Sequence, residues 1–183
     1  ETLQRLLAEA AEALRLRWSF HVARGRMSAE VNTLAQAFDL IVLGRRSGVR
    51  VTAVSRTTPC LAGRRQGTGP VLVLFDEAPA STQSLDLGVM LARRNGAELL
   101  LLIDAENETA YWSGCAVAQT ALQARGTRGR CVWLSGINGS NLIQVARREA
   151  AGCLVLPDKE RFLRQEGLER VLDEIECPIV LTG

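Results

Sequence analysis

Short, unbroken apolar runs recur along this chain, each separated from the next by a longer segment with helical spacing. Val71–Phe75, Leu99–Ile103 and Cys153–Leu156 carry no polar face. Strands buried on both sides look like this. Arg130–Leu134 and Pro178–Leu181 complete a set of five expected strands. Between them, helices are expected from Ser81 or Ser84 to Asn95, over 109–124, from Asn138 or Ser140 to Ala150, and over 159–174. Gly96 is placed to end the first of these as its C′ residue. Strands alternating with helices of about ten or more residues need crossover connections. The pattern therefore predicts a parallel sheet with helices on both faces.

The first third of the chain repeats part of this order. Leu3, Leu6, Leu7, Ala10 and Leu14 have helical spacing, and Trp18, Phe20 and Val22 alternate as in a strand. A helix is expected over 28–38, then the apolar run Leu40–Leu43, a short helix over 49–57 and an edge strand over 58–62. Phe38–Gly44 matches Ala151–Pro157, and Thr58-Pro59-Cys60-Leu61 echoes Cys177-Pro178-Ile179-Val180. The expected organisation is the C-terminal half of one domain at 1–65, a linker at 66–69 and a complete domain at 70–183. The chain starts at Glu1 rather than Met, and the first unit lacks an opening strand–helix–strand, so a fragment of a longer protein is expected.

Composition narrows the function classes. The net charge of +2 gives no general argument for nucleic acid or acidic membranes. The charge is uneven: residues 1–67 hold 11 Arg against 5 acids, and the rest is net acidic. Two solvated surfaces of different composition account for this as well as complementary packing does. The five cysteines, Cys60, Cys115, Cys131, Cys153 and Cys177, include no CxxC, which predicts a reduced chain without a disulfide framework in a cytoplasmic setting. No apolar stretch approaches the ~18–20 residues of a membrane helix, so this segment is not expected to insert. His21 is the single histidine and cannot build a multi-histidine metal site.

Several segments together resemble the universal stress proteins. In that family a first strand ends in a Val-Asp-type turn; Val71–Asp76 is similar. Leu91-Ala-Arg-Arg-Asn-Gly-Ala-Glu-Leu99 resembles the end of the family's first helix, and Asp39-Leu-Ile-Val-Leu-Gly44 its fourth strand. Thr58-Pro59-Cys60 and Glu176–Leu181 resemble its closing Pro-Cys segment. The resemblance spans essentially the whole chain and implies a degenerate tandem member with an incomplete first repeat. The implied fold is an α/β three-layer sandwich on a parallel sheet, Rossmann-like and of the adenine-nucleotide α-hydrolase type. It also implies that two such units pair through their last strands as an internal pseudo-dimer.

Nucleotide-binding members carry Gly-x2-Gly-x9-Gly-(Ser/Thr) after strand four, where inward-turned backbone N–H groups and a helix N-terminus cradle phosphates. The complete domain has Pro157, Asp158 and Glu160 there. Proline removes an N–H, and the two acids repel phosphate. ATP is therefore disfavoured and no cofactor is expected. The first unit keeps Gly44-Arg45-Arg46-Ser47-Gly48, with glycines one residue too far apart. Its arginines suit an anion, while a solvated turn explains the same residues. Asp76 takes the place of the family's nucleotide-contacting Asp; its other reading is a turn or helix-start charge. A response-regulator receiver would need an Asp after strand three, and Cys131–Gly136 has none. There is no Gly-x-Ser-x-Gly elbow and no acid–base pair to name. The leading expectation is a non-catalytic regulatory or interaction module, with a protein partner or self-association through sheet edges. The alternatives are a nucleotide or anion sensor using Gly44–Gly48, and a cytoplasmic domain of a larger protein such as a transporter.

Overall fold

A computed structural model describes residues 40–43, 69–76, 79–157 and 167–182, with positions 5, 8, 9, 11, 12 and 15 near the start. The elements expected at 18–22, 28–38, 49–57 and 58–62 lie outside the described residues, as do His21, Gly44, Arg45, Arg46, Ser47, Gly48, Asp158 and Glu160. Arg5, Ala8, Glu9, Ala11 and Glu12 are helical, as the leucine spacing predicts.

The described elements are β1 (Leu40–Leu43), β2 (Val71–Phe75), α1 (Pro79–Asn95), β3 (Leu99–Asp104), α2 (Glu108–Ala124), β4 (Arg130–Leu134), α3 (Gly139–Arg148), β5 (Cys153–Pro157), α4 (Gly167–Glu174) and β6 (Ile179–Thr182). They form one six-stranded sheet in the order β1-β6-β5-β2-β3-β4. The five strands of 70–183 are parallel, as their periodicity predicts. The sheet as a whole is mixed, because β1 joins the outer edge of β6 antiparallel, with Leu40 opposite Thr182 and Leu43 opposite Ile179. An antiparallel edge strand on a parallel sheet needs no crossover, and β1 arrives from outside the βα series.

Successive residues of each strand point to opposite faces, so the two sides of the sheet carry separate cores. On one side Leu72, Leu74, Leu100, Leu102, Leu154 and Leu156 pack beneath α3 and α4. On the other Val71, Val73, Leu99, Leu101, Ile103 and Val155 pack beneath α1 and α2. The result is the expected three-layer sandwich. On β1, Leu43 is buried with the α3/α4 side, while Val42 is 62% exposed on the opposite face.

The helix ends show where local signals hold. Gly96, at φ +61°, closes α1 as predicted: its N–H donates to Arg93 O, and Ala97 N–H donates to Ala92 O at 2.9 Å. Asn138 caps α3 by accepting from Asn141 N–H at 2.9 Å. The start of α1 differs from expectation. Neither Ser81 nor Ser84 caps it; the helix opens at Pro79, whose missing N–H costs nothing in a first turn. Both serines are buried inside the helix and face the sheet.

Candidate functional site

In a parallel sheet the place for a ligand is the crevice beyond the carboxyl ends of the strands, where the strand order reverses. Here that point is β2, with β3 on one side and β5 on the other. Asp76 is the residue that follows β2, so the sequence places the candidate carboxylate at the switch point. Its surroundings explain its local role. The Ser81 hydroxyl donates to Asp76 Oδ1, and Asp76 N–H donates back to Ser81 Oγ at 3.3 Å. Ser81 is buried while Asp76 is exposed. The pair ties the end of β2 to the first turn of α1, next to the positive end of the helix dipole.

A cleft of about 290 Å³ opens beside Asp76 between α1 and α2, with Thr82 and Leu85 on one wall and Val117 and Ala121 on the other. Arg125 stands at its rim. Its Nε donates to Asp86 Oδ1 at 2.5 Å and one terminal nitrogen donates to Ala121 O at 2.9 Å. A broader hollow of about 600 Å³ adjoins it, lined by Asp86, Met90, Arg93 and Arg94. Arg93 donates to the carbonyls of Arg125 and Gly126 and so closes the end of α2. Two of these guanidinium groups are therefore engaged in holding α1 to α2.

The neighbouring strand ends are pinned as well. Asp104, the last residue of β3, accepts from Gly136 N–H at 2.8 Å, and Asn141 Nδ2 donates to the carbonyls of Ser135 and Gly136. The turn Gly136–Gly139 is held as the entry to α3. At the end of β5, Pro157 is buried in register with Thr182 of β6. Thr182 Oγ1 and Ser84 Oγ share a buried hydrogen bond of 2.6 Å that joins β6 to α1.

Of the sequence-predicted site residues, Asp76 stands at the cleft, Pro157 ends its strand, and Gly44–Gly48 fall outside the described residues. The sequence does not mark Ser81 or Arg125 as residues of the cleft. A serine five positions past a strand-end Asp is the only local sign of the first; nothing near Arg125 in sequence announces Asp86. Among the described residues no group of three or more His, Cys, Asp or Glu side chains could hold a metal ion. No described helix is long and apolar enough to cross a membrane.

The sequence matches no protein-family model, and no curated protein matches it either. Solved structures do share its fold. A universal stress protein from Archaeoglobus fulgidus in complex with dAMP superimposes with a TM-score of 0.52 at 14% identity, over 64% of this chain and 99% of the other. A universal stress protein in complex with cAMP gives 0.51 at 17% identity, over 64% and 98%. Another structure of a universal stress protein from Archaeoglobus fulgidus gives 0.50 at 13% identity, over 63% and 93%. The chain has the universal-stress-protein fold, a Rossmann-like α/β sandwich, as the resemblance implies.

Proposed function

We propose that this chain is a regulatory or interaction module of universal-stress-protein type, non-catalytic, whose 70–183 unit does not hold ATP. Pro157 carries the reading. It stands where the family's phosphate loop opens with glycine, and it is buried at the end of β5 against Thr182. A proline there supplies no N–H to a phosphate and fixes φ where glycine would let the backbone turn inward. Asp76, the other candidate contact, already accepts a hydrogen bond from Ser81.

The tandem organisation belongs to the same proposal: a half domain at 1–65, a linker at 66–69, a complete domain at 70–183 and a cytoplasmic setting. The seat of β1 on the β6 edge supports contact between the units at the last strand of the complete one. Further partners would meet the outer edge of β4, which no described strand pairs. Since two solved structures of this fold are complexes with dAMP and cAMP, adenine nucleotides are the class to test. Isothermal titration of the chain with ATP, dAMP and cAMP should give no saturable heat in the micromolar range. Micromolar ATP binding that survives replacement of Arg45 and Arg46 by alanine would overturn the proposal.

A further inference from the structure

The outer edge of β4 is partly occupied by side chains of α2. Ala105 N–H donates to Leu134 O at 3.1 Å, which sets Leu134 and alternate residues of β4 on the β3 side. The carbonyl of Cys131 therefore turns outward, and Tyr111 Oη donates to it at 3.2 Å. Just ahead of the strand, Gly129 O accepts from Gln119 Nε2 at 3.1 Å. The far end of β4 stays open. There Trp133 stacks on Tyr111, with centroids 5.3 Å apart and planes within 10°, and Trp112 tilts against Tyr111 at 5.2 Å. Trp112 is 61% exposed and Trp133 40%. Single exposed apolar residues are ordinary on a protein surface. Touching aromatic rings, two of them exposed indoles, have instead the composition of an interface hot spot.

The rim of these rings is acidic. Trp133 Nε1–H donates at 2.8 Å to the carbonyl of Ala105, whose neighbours in sequence are Asp104 and Glu106. Trp112 Nε1–H donates to Glu108 Oε1 at 3.2 Å. Asp104, Glu106 and Glu108 are all exposed. Among the described residues neither Glu106 nor Glu108 is in an ion pair. A second copy seated on this surface across a two-fold axis would set the same acids against each other, and like charges oppose that pairing. A guanidinium suits the surface on both counts: it stacks on an indole face, and the carboxylates attract it. We infer, resting on the reading of the chain as an interaction module, that the aromatic end of β4 docks an arginine-bearing peptide segment of a partner protein. A guanidinium lies on the Trp112–Tyr111–Trp133 surface, with Glu106 and Glu108 as flanking counter-charges. The rings favour arginine over lysine, because an ammonium has no plane to lay on them. The carboxylates supply attraction at longer range, which salt screens.

The test follows the fluorescence anisotropy of a labelled Arg-Gly repeat peptide as the whole chain is added. Saturable binding is expected, weaker for a Lys-Gly repeat and absent for a Glu-Gly repeat. Trp112→Ala should weaken it about five- to thirtyfold, the range of a cation–π contact from partial to full desolvation. Circular dichroism establishes that this variant is folded; if it is not, Trp112→Leu, which keeps apolar bulk without the ring face, takes its place. Glu106→Gln with Glu108→Gln should weaken binding at about 0.05 M salt and converge on the unaltered chain at about 0.5 M. No binding, equal affinity for the lysine peptide, or binding that the Trp112 variant leaves unchanged would each overturn the inference. So would sedimentation in which the chain alone associates with concentration and Trp112→Ala abolishes this, since the surface would then belong to a second copy. None of these outcomes alters the nucleotide titration, so the docking surface and the module reading fail separately.

Discussion

At the scale of single residues, two positions under opposite backbone demands make a matched test. Ala150 ends α3 with φ +50°, in the same hydrogen-bonded closure that Gly96 and Gly126 give α1 and α2. A left-handed conformation costs a residue with a Cβ about 1–2 kcal/mol, and glycine escapes most of this. Ala150→Gly should therefore stabilise the fold by about 0.5–1 kcal/mol, read as a higher urea midpoint at unchanged slope. Gly88 lies inside α1, where helix propensity favours alanine by about 1 kcal/mol. Yet a Cβ there would stand 2.3 Å from Val73 Cγ2, in the fully buried centre of the sheet. Val73 is β-branched and hemmed in, so it cannot turn aside. Overpacking of this kind costs about 1–3 kcal/mol and outweighs the propensity gain. Gly88→Ala should lower the same midpoint, and a rise would show that the helix lifts off the sheet without penalty.

At the scale of elements, Arg130 is the point where three segments are joined. It opens β4, donates to Glu149 Oε2 at 2.7 Å at the end of α3, and reaches Glu98 Oε1 at 3.4 Å ahead of β3. The Arg130 hydrogen bond, aided by Arg148, holds the Glu149 carboxyl below its ordinary range. A carboxyl depressed in the folded state contributes stability above its unfolded pKa of about 4.3, and loses it as pH falls through the lower folded value. Glu149→Gln should therefore be less stable than the unaltered chain at neutral pH. The gap should shrink only below about pH 4.5. Denaturant midpoints taken from pH 7 to about pH 3 check this, and a gap that stays constant would show that the ion pair contributes nothing.

The elements also show what the sequence could reveal. The runs Val71–Phe75 and Leu99–Ile103 are legible because burial on both faces leaves them no polar position. Asp76 is legible as a site candidate because its place depends only on where β2 ends. Ser81 and Ser84 mislead because a capping serine and a buried one look alike in sequence. Their partners, Asp76 and Thr182, decide between the two, and Thr182 lies 98 residues away from Ser84. Trp112 is 61% exposed, and its indole N–H donates to Glu108 on the same helix.

At the scale of the molecule, the mixed sheet depends on a pairing that joins residues about 140 positions apart, which periodicity within either segment cannot foretell. β6 is bonded on one side to β5 and on the other to β1. Without β1, alternate N–H and C=O groups along β6 would lose their partners and present an open edge built from Ile179, Val180 and Leu181. Leu43 is the buried anchor that holds β1 on the core beneath α3 and α4. Leu43→Lys puts an unpaired charge into that apolar position, which is too costly to retain, so the strand should come away. Hydrogen exchange at β6 should then accelerate at every second amide, while β2 and β3, buried in the middle of the sheet, keep their protection. The bare edge should also pair between copies, giving association that grows with concentration in sedimentation. If β6 stays protected and the chain does not associate, the parallel unit closes its own edge and β1 is not its cover.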